Sequence, residues 1–116
     1  MQKNPNVRYL ACPMRQMLSK IGDKWSMLVL YLISQSSGGR IRFTELQAQM
    51  TDCSKKMLAQ MLRKLVENDL VCREVTGDKA PVRVDYSLSP RGRSLMPALD
   101  GLVAWAIEQY GVSVTD

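Results

Sequence analysis

The segment SKKMLAQMLRKLVE, residues 54–67, places Ser54, Lys55, Lys56, Gln60, Arg63 and Lys64 on one short stretch. Hydroxyl, ammonium and guanidinium groups set this closely can donate hydrogen bonds to phosphate oxygens, and Gln, Arg and Lys can also meet base edges. The same pattern equally describes an amphipathic core helix whose basic face is merely solvated. Farther along, Lys79 and Arg83 flank a turn from which they can approach a minor groove or its phosphates. Arg73 either contacts the same backbone or balances Glu74. RNA fits less well, because no aromatic stacking platform accompanies these cations.

Catalytic chemistry has little to draw on. The chain has no His, and its three Cys stand at 12, 53 and 72, unlike a zinc knuckle or a C-x-x-C redox pair. A nucleophile would lack its usual base, and no Gly-rich phosphate cradle is present. No enzyme, metal or cofactor is expected; a carboxylate pair assembled by the fold is the one enzymatic route left open. Asp85 and Glu74 read as surface charges of a hairpin.

The 116 residues suit one domain with a modest core, and 46% hydrophobic against 23% charged residues is a globular composition. The longest apolar run, MLVLYLI at 27–33, is too short to span a bilayer. The N-terminus lacks the apolar stretch and cleavage site of a signal peptide, so a cytoplasmic location is the default expectation, with no membrane partner. Net charge is +5 and unevenly spread: all 16 basic residues and eight of the 11 acids lie in residues 1–93, giving +8 there and −3 beyond. One end of the molecule thus has a polyanion-facing character.

The elements that must position these groups follow from periodicity. Pro13 suits the first turn of a helix over 13–21, and Asp23 can cap a near-continuously apolar helix over 23–34. After the break QSSGGR, Ile41 and Phe43 can form a very short strand, and Thr44 with Gln47 makes a capping box for a helix over 44–50. The turn TDC leads to Ser54 as the next N-cap, so two helices joined by a few residues form a helix-turn-helix. On the second helix Leu58, Met61, Leu62 and Leu65 share a stripe opposite Lys56, Gln60, Arg63, Lys64 and Glu67. Period-two alternation over 70–89 predicts a two-stranded hairpin turning at Gly77 to Pro81. The fold expected is mainly α with a small β-hairpin.

The last helix starts at Ser89-Pro90 and stops near Gly111; Pro97 and Gly101 should bend or weaken it. Leu95, Leu99, Leu102, Val103, Ala106, Ile107 and Tyr110 recur at helical spacing, with Trp105 at the margin. Such a tail either folds back to complete the core or pairs with a second copy across a two-fold axis, which would give a DNA reader both affinity and register.

Taken jointly, CP at 12–13, IGDKW at 21–25, RFTEL at 42–46, SKKMLAQMLRKLVENDLV at 54–71 and VDYSLSPRGRSLMPAL at 84–99 closely resemble the HxlR family of bacterial winged helix-turn-helix transcriptional regulators, relatives of the MarR group. The resemblance implies a homodimer held by the last helix with help from the N-terminal segment. It also implies a helix from Ser54 in the major groove, the 70–89 hairpin as the wing, and operator DNA of the bacterial nucleoid as partner. The sequence departs from the family where Asp23 replaces a second glycine, where Asp69 replaces the glycine before the wing, and where only Pro81 remains of a double proline. Some members use the cysteine of the CP motif to sense oxidants or electrophiles. Cys12 is therefore either such a sensor, aided by Arg8, Arg15 or a helix beginning at Pro13, or a small packed hydrophobe. Cys53 reads as the more exposed of the other two thiols and Cys72 as the more packed. The competing functional reading is a winged-helix protein-interaction module without sequence-specific DNA binding. The effector, whether small molecule or oxidant, is not legible.

Overall fold

The structure, a computed structural model, describes residues 7–111, with side chains from Cys12 onward. In chain order it comprises α1 (Val7–Ile21), α2 (Ser26–Gln35), a single 3-10 turn, β1 (Arg40–Arg42), α3 (Phe43–Gln49), α4 (Lys55–Glu67), β2 (Val71–Thr76), β3 (Arg83–Leu88) and α5 (Pro90–Tyr110). The protein is mainly helical, with a small antiparallel sheet whose β2–β3 ribbon is the wing.

The core gathers around α2, where Ser26, Val29, Leu30 and Ile33 are fully buried. Asp23 starts this helix from one turn upstream: its carboxylate accepts the Trp25 and Ser26 amides at 3.2 and 3.1 Å and the Ser26 hydroxyl. The residue that departs from the family glycine thus supplies the cap. Its carboxyl is pushed up by burial, but those hydrogen bonds outweigh the burial and hold it below the ordinary carboxylate range.

Three helices start elsewhere than expected, α2 running Ser26–Gln35 instead of 23–34. α1 begins at Val7, with Pro13 inside it, because apolar residues recur at helical spacing from Val7 through Met14, Met17 and Ile21 and carry the helix across the proline. α3 begins at Phe43 instead of Thr44; Glu45 reaches back to accept the Arg42 amide at 2.9 Å, so the capping pair lies two residues earlier than Thr44 and Gln47 suggest. The helix α5 runs unbroken through Pro97 and Gly101 to Gly111, whose positive φ of 78° ends it.

The hairpin also gains a third strand. β1 pairs with β3 in register Ile41↔Tyr86 and Arg42↔Asp85, so the order is β1-β3-β2 and β3 is central. Ile41, Tyr86 and Leu88 turn inward onto the helices, whereas Arg40, Arg42, Cys72, Glu74, Arg83, Asp85 and Ser87 share the outer face by register. Asp85, expected at the surface, is only 3% exposed, because the added strand flanks it on the side a two-stranded hairpin would leave open.

Two junctions fix the wing to the helices. The α4 C-terminus closes with Leu70 N–H donating to Leu65 O at 2.9 Å, which puts Asp69 in the left-handed region at φ 58°. Ser89 then stitches the start of α5 to that junction: its hydroxyl donates to Asp69 O at 2.6 Å and accepts the Gly92 amide at 2.9 Å. A Cβ at Gly92 would fall 2.1 Å from the Leu70 carbonyl oxygen, so only glycine admits this approach.

Candidate nucleic-acid interface

Leu46 on α3, Met50 and Cys53 in the turn, and Leu58, Leu62 and Leu65 on α4 are buried together, locking the helix-turn-helix angle. Ser54 caps α4 by accepting the Met57 amide at 3.1 Å. With one face committed to the core, about 100° per residue carries Lys56, Gln60, Arg63 and Glu67 to the opposite arc. Lys55, Lys56, Gln60 and Arg63 are all exposed; Lys64 is half-buried on the flank nearer α2. There Lys64 and Gln60 share an open groove of about 420 Å³ with Asp23, Lys24 and Trp25, while Arg63 lines a separate groove with Arg73, Glu67 and Tyr86 beside the wing. The cations expected from sequence therefore do not form one patch: Lys64 leans toward α2, and Arg63 toward β2.

The wing stands clear of the body. Of β2 only Val71 is buried, and every residue from Arg73 to Arg83 is exposed. Six-residue strands reach about 20 Å, so Lys79 at the turn is carried well away from its root. Arg83 sits at the turn end of β3, opposite Thr76, and is engaged: its Nε donates to Asp85 Oδ2 at 2.9 Å, with half the side chain still exposed. That hydrogen bond and the carboxylate charge raise the guanidinium further above its ordinary value, so it is charged at any pH of interest. Arg73 stands opposite Tyr86 on the other face, and Glu74 pairs with Arg40 at 2.7 Å, so Arg73 is not the partner that balances Glu74.

Sequence reasoning missed three cations. Lys24 lies over the Trp25 ring at 4.9 Å beside Lys64, and Arg40 and Arg42 join Arg83 on the outer sheet face. The alternation R-I-R was a strand signal for the arginines, but only pairing with β3 assigns their face.

The two ends of the expected apolar stripe on α5 have different fates. Leu99 is buried within the single chain and belongs to its core, with Leu95 and Val103 packed against it. Ala106 is half-buried, while Leu102, Trp105, Ile107 and Tyr110 are 46–81% exposed. Trp105 and Tyr110 meet edge-on, with ring centroids 6.2 Å apart. On α1, Met14, Met17 and Leu18 are exposed as well. The Cα radius of gyration is 16.6 Å, above the roughly 13 Å of a compact chain of this length.

Cys12 is exposed in the second turn of α1. A helix N-terminus does not reach it, since that influence fades within the first turn and the helix begins at Val7. The Arg8 side chain and the segment before Val7 lie outside the described residues. The other two thiols reverse the sequence expectation. Cys53 is buried because the interhelical turn folds under with Met50; Cys72 is exposed because register puts it on the outer face beside Ser87. Among the described residues no cluster of metal-ligating side chains occurs, and no helix is long and apolar enough to cross a membrane.

A capped helix with a basic outer arc, set beside a protruding ribbon, matches known proteins over almost the whole chain. Residues 20–113 match the family model described as HxlR-like helix-turn-helix. The chain belongs to this family. It is 36% identical over 108 residues to the HTH-type transcriptional regulator YdzF of Bacillus subtilis (strain 168), covering 93% of this chain and 96% of that protein. Its fold superposes on a crystal structure of the HTH-type transcriptional regulator ytcD with TM-score 0.76 and 34% identity, over 85% of this chain and 97% of that one. It superposes on the redox regulator HypR in its oxidised form with TM-score 0.75 and 32% identity, over 84% and 96% of the two chains. The relatives it matches are HTH-type transcriptional regulators, so the chain belongs to a family of regulators.

Proposed function

We propose that this HxlR-like protein is a homodimeric regulator that binds duplex DNA sequence-specifically, with the outer arc of α4 in the major groove and the β2–β3 wing on the adjoining backbone. The observation that carries this reading is the division of α4: Leu58, Met61, Leu62 and Leu65 are consumed by the core, leaving Lys55, Lys56, Gln60 and Arg63 exposed on a rigid, capped helix. Lys79 in the turn and Arg83 at the turn end of β3 add cations to the wing. Two copies would set their α4 helices in successive major grooves about 34 Å apart on a pseudo-palindromic operator.

Affinity for fragments from its own genomic neighbourhood, measured over a series of salt concentrations, tests this. Lys56→Ala should weaken binding and lower the slope of log affinity against log salt by about one. An unchanged slope removes Lys56 from the DNA face. A folded wild-type protein that retains no fragment, yet captures a protein partner, favours an interaction module instead.

A second reading concerns Cys12, supported by its exposure on α1 and by the similarity to a regulator solved in oxidised and reduced forms. Oxidation at Cys12 would alter the α1–α5 region and with it the spacing of two α4 helices. An identical response to mild oxidation in wild type and Cys12→Ser would eliminate it as the switch.

A further inference from the structure

The outer face of the sheet holds a charge arrangement that folding alone does not call for. Asp85 sits on the central strand, 97% buried, yet only one of its carboxylate oxygens is bonded: Oδ2 accepts from Arg83 Nε at 2.9 Å, and Oδ1 has no partner among the described residues. Arg42 stands directly opposite on β1, and the Arg40 guanidinium reaches over to Glu74 on β2, so three guanidiniums surround one buried carboxylate. A buried ion pair is often no better for stability than a well-packed apolar pair, so its presence here points to geometry. Arg83 is otherwise a long side chain free to sweep many rotamers on an exposed ribbon. Held through Nε, it keeps its terminal nitrogens, which make no other hydrogen bond among the described residues.

We propose that Asp85 is a positioning residue for nucleic-acid binding: it clamps Arg83 at the turn end of β3 so that the free edge of the guanidinium is pre-set for a backbone phosphate. This rests on the DNA-binding reading above. Pre-organisation of this kind lowers the entropy lost when the side chain is immobilised on the partner.

The sign of one substitution separates positioning from plain electrostatics. Asp85→Asn removes a negative charge near a polyanion, so charge alone predicts tighter binding; Glu67→Gln, on the outer arc of α4, reports that effect. Positioning predicts the opposite, a loss of about two- to tenfold in affinity, and a salt slope lowered toward that of Arg83→Ala. In the Arg83→Ala background the loss on adding Asp85→Asn should vanish. Tighter binding of Asp85→Asn, or an equal loss in both backgrounds, overturns the proposal. If Asp85→Asn shows no cooperative melt, Arg83→Lys decides: it keeps the charge but not the fork, and wild-type affinity in that variant overturns the proposal too. Folded wild-type protein that binds no DNA defeats this and the underlying reading together. If wild type binds and Lys56→Ala weakens it while Arg83→Ala does not, only the positioning role falls.

Discussion

Arg40 and Glu74 form an ion pair at 2.7 Å that passes over β3, the strand lying between their own. It joins the two edges of the sheet across its outer face and braces the wing where it leaves the body. Both side chains are about half exposed, so the pair is worth no more than about 1 kcal/mol. Its importance is in what it covers: Asp85 and Ser87 lie on the same face of the strand beneath.

Asp85 and Asp23 give the stability a defined acid limb. A hydrogen bond from Arg83 leads in lowering the Asp85 carboxyl; burial opposes it, and the charges of Arg83, Arg40 and Arg42 add to it. For Asp23, burial raises the carboxyl, but the Ser26 hydroxyl and the amides of Trp25 and Ser26 bring it below its ordinary value. Folded values below the unfolded ones mean that both contributions are complete above the ordinary aspartate pKa of about 4 and disappear as pH falls through the lowered values. No histidine is present to add a transition near neutrality. Thermal melts of wild type and Asp23→Asn should therefore differ by a constant amount from pH 8 to about 5 and converge below about 4. Convergence above pH 5 would show that Asp23 is not held as an anion by its cap.

Asp69 occupies a glycine's position. Its φ of 58° places an L-residue in the left-handed region at the end of α4, where the family pattern carries Gly. That conformation costs an L side chain about 1–2 kcal/mol, part of which glycine gives back through its more flexible unfolded chain. Asp69→Gly should raise stability by about 0.5–1 kcal/mol in denaturant unfolding. Because Ser89 bonds the Asp69 carbonyl and not its side chain, the junction to α5 is kept. A destabilised variant would mean that the Asp69 carboxylate makes a contribution of its own.

Local chemistry explains why much of this was legible in advance. The Ser54 cap, the buried stripe of α4, the Ser89-Pro90 start and the Gly111 stop each depend on a few adjacent residues, and all stand where the sequence puts them. The failures share a cause in pairing at a distance. Ile41 and Asp85 are far apart in the chain, so three residues of β1 gave no sign that they would make β3 central and bury Asp85. Pro13 misled in the other direction, because a strong local start signal was overridden by apolar spacing that runs through it. Leu99 and Leu102 look alike in periodicity; only packing against α2 tells the core residue from the exposed one.

The thiols should separate cleanly by reactivity. Burial leads in raising the Cys53 thiol, with the Asp52 charge adding to it, and its sulfur donates to the Ser54 carbonyl at 3.7 Å. Cys12 and Cys72 are exposed. Since thiolate is the reactive form, native protein treated with iodoacetamide at neutral pH should carry adducts at Cys12 and Cys72 and gain the third at Cys53 only on denaturation. Peptide mass spectrometry reads this directly. Rapid labelling of Cys53 in folded protein would show that the turn between α3 and α4 opens.

The C-terminal half of α5 provides the test of assembly. Leu102 and Trp105 are 51% and 54% exposed, while Leu99 and Met96 on the preceding turns are buried in the chain's own core. A charge at position 102 should thus break a contact between copies and leave each copy folded. Light scattering on wild type should give a dimer mass, and Leu102→Glu a monomer mass with a cooperative melt retained. Splitting the dimer also removes the linkage between two half-sites, so affinity for a palindromic operator should fall by about a hundredfold or more, while a single half-site is bound as before. Wild-type protein that is monomeric at micromolar concentration would sink the assignment of this face. A Leu102→Glu protein that stays dimeric would move the interface elsewhere, with the exposed Met14, Met17 and Leu18 of α1 the next surface to charge.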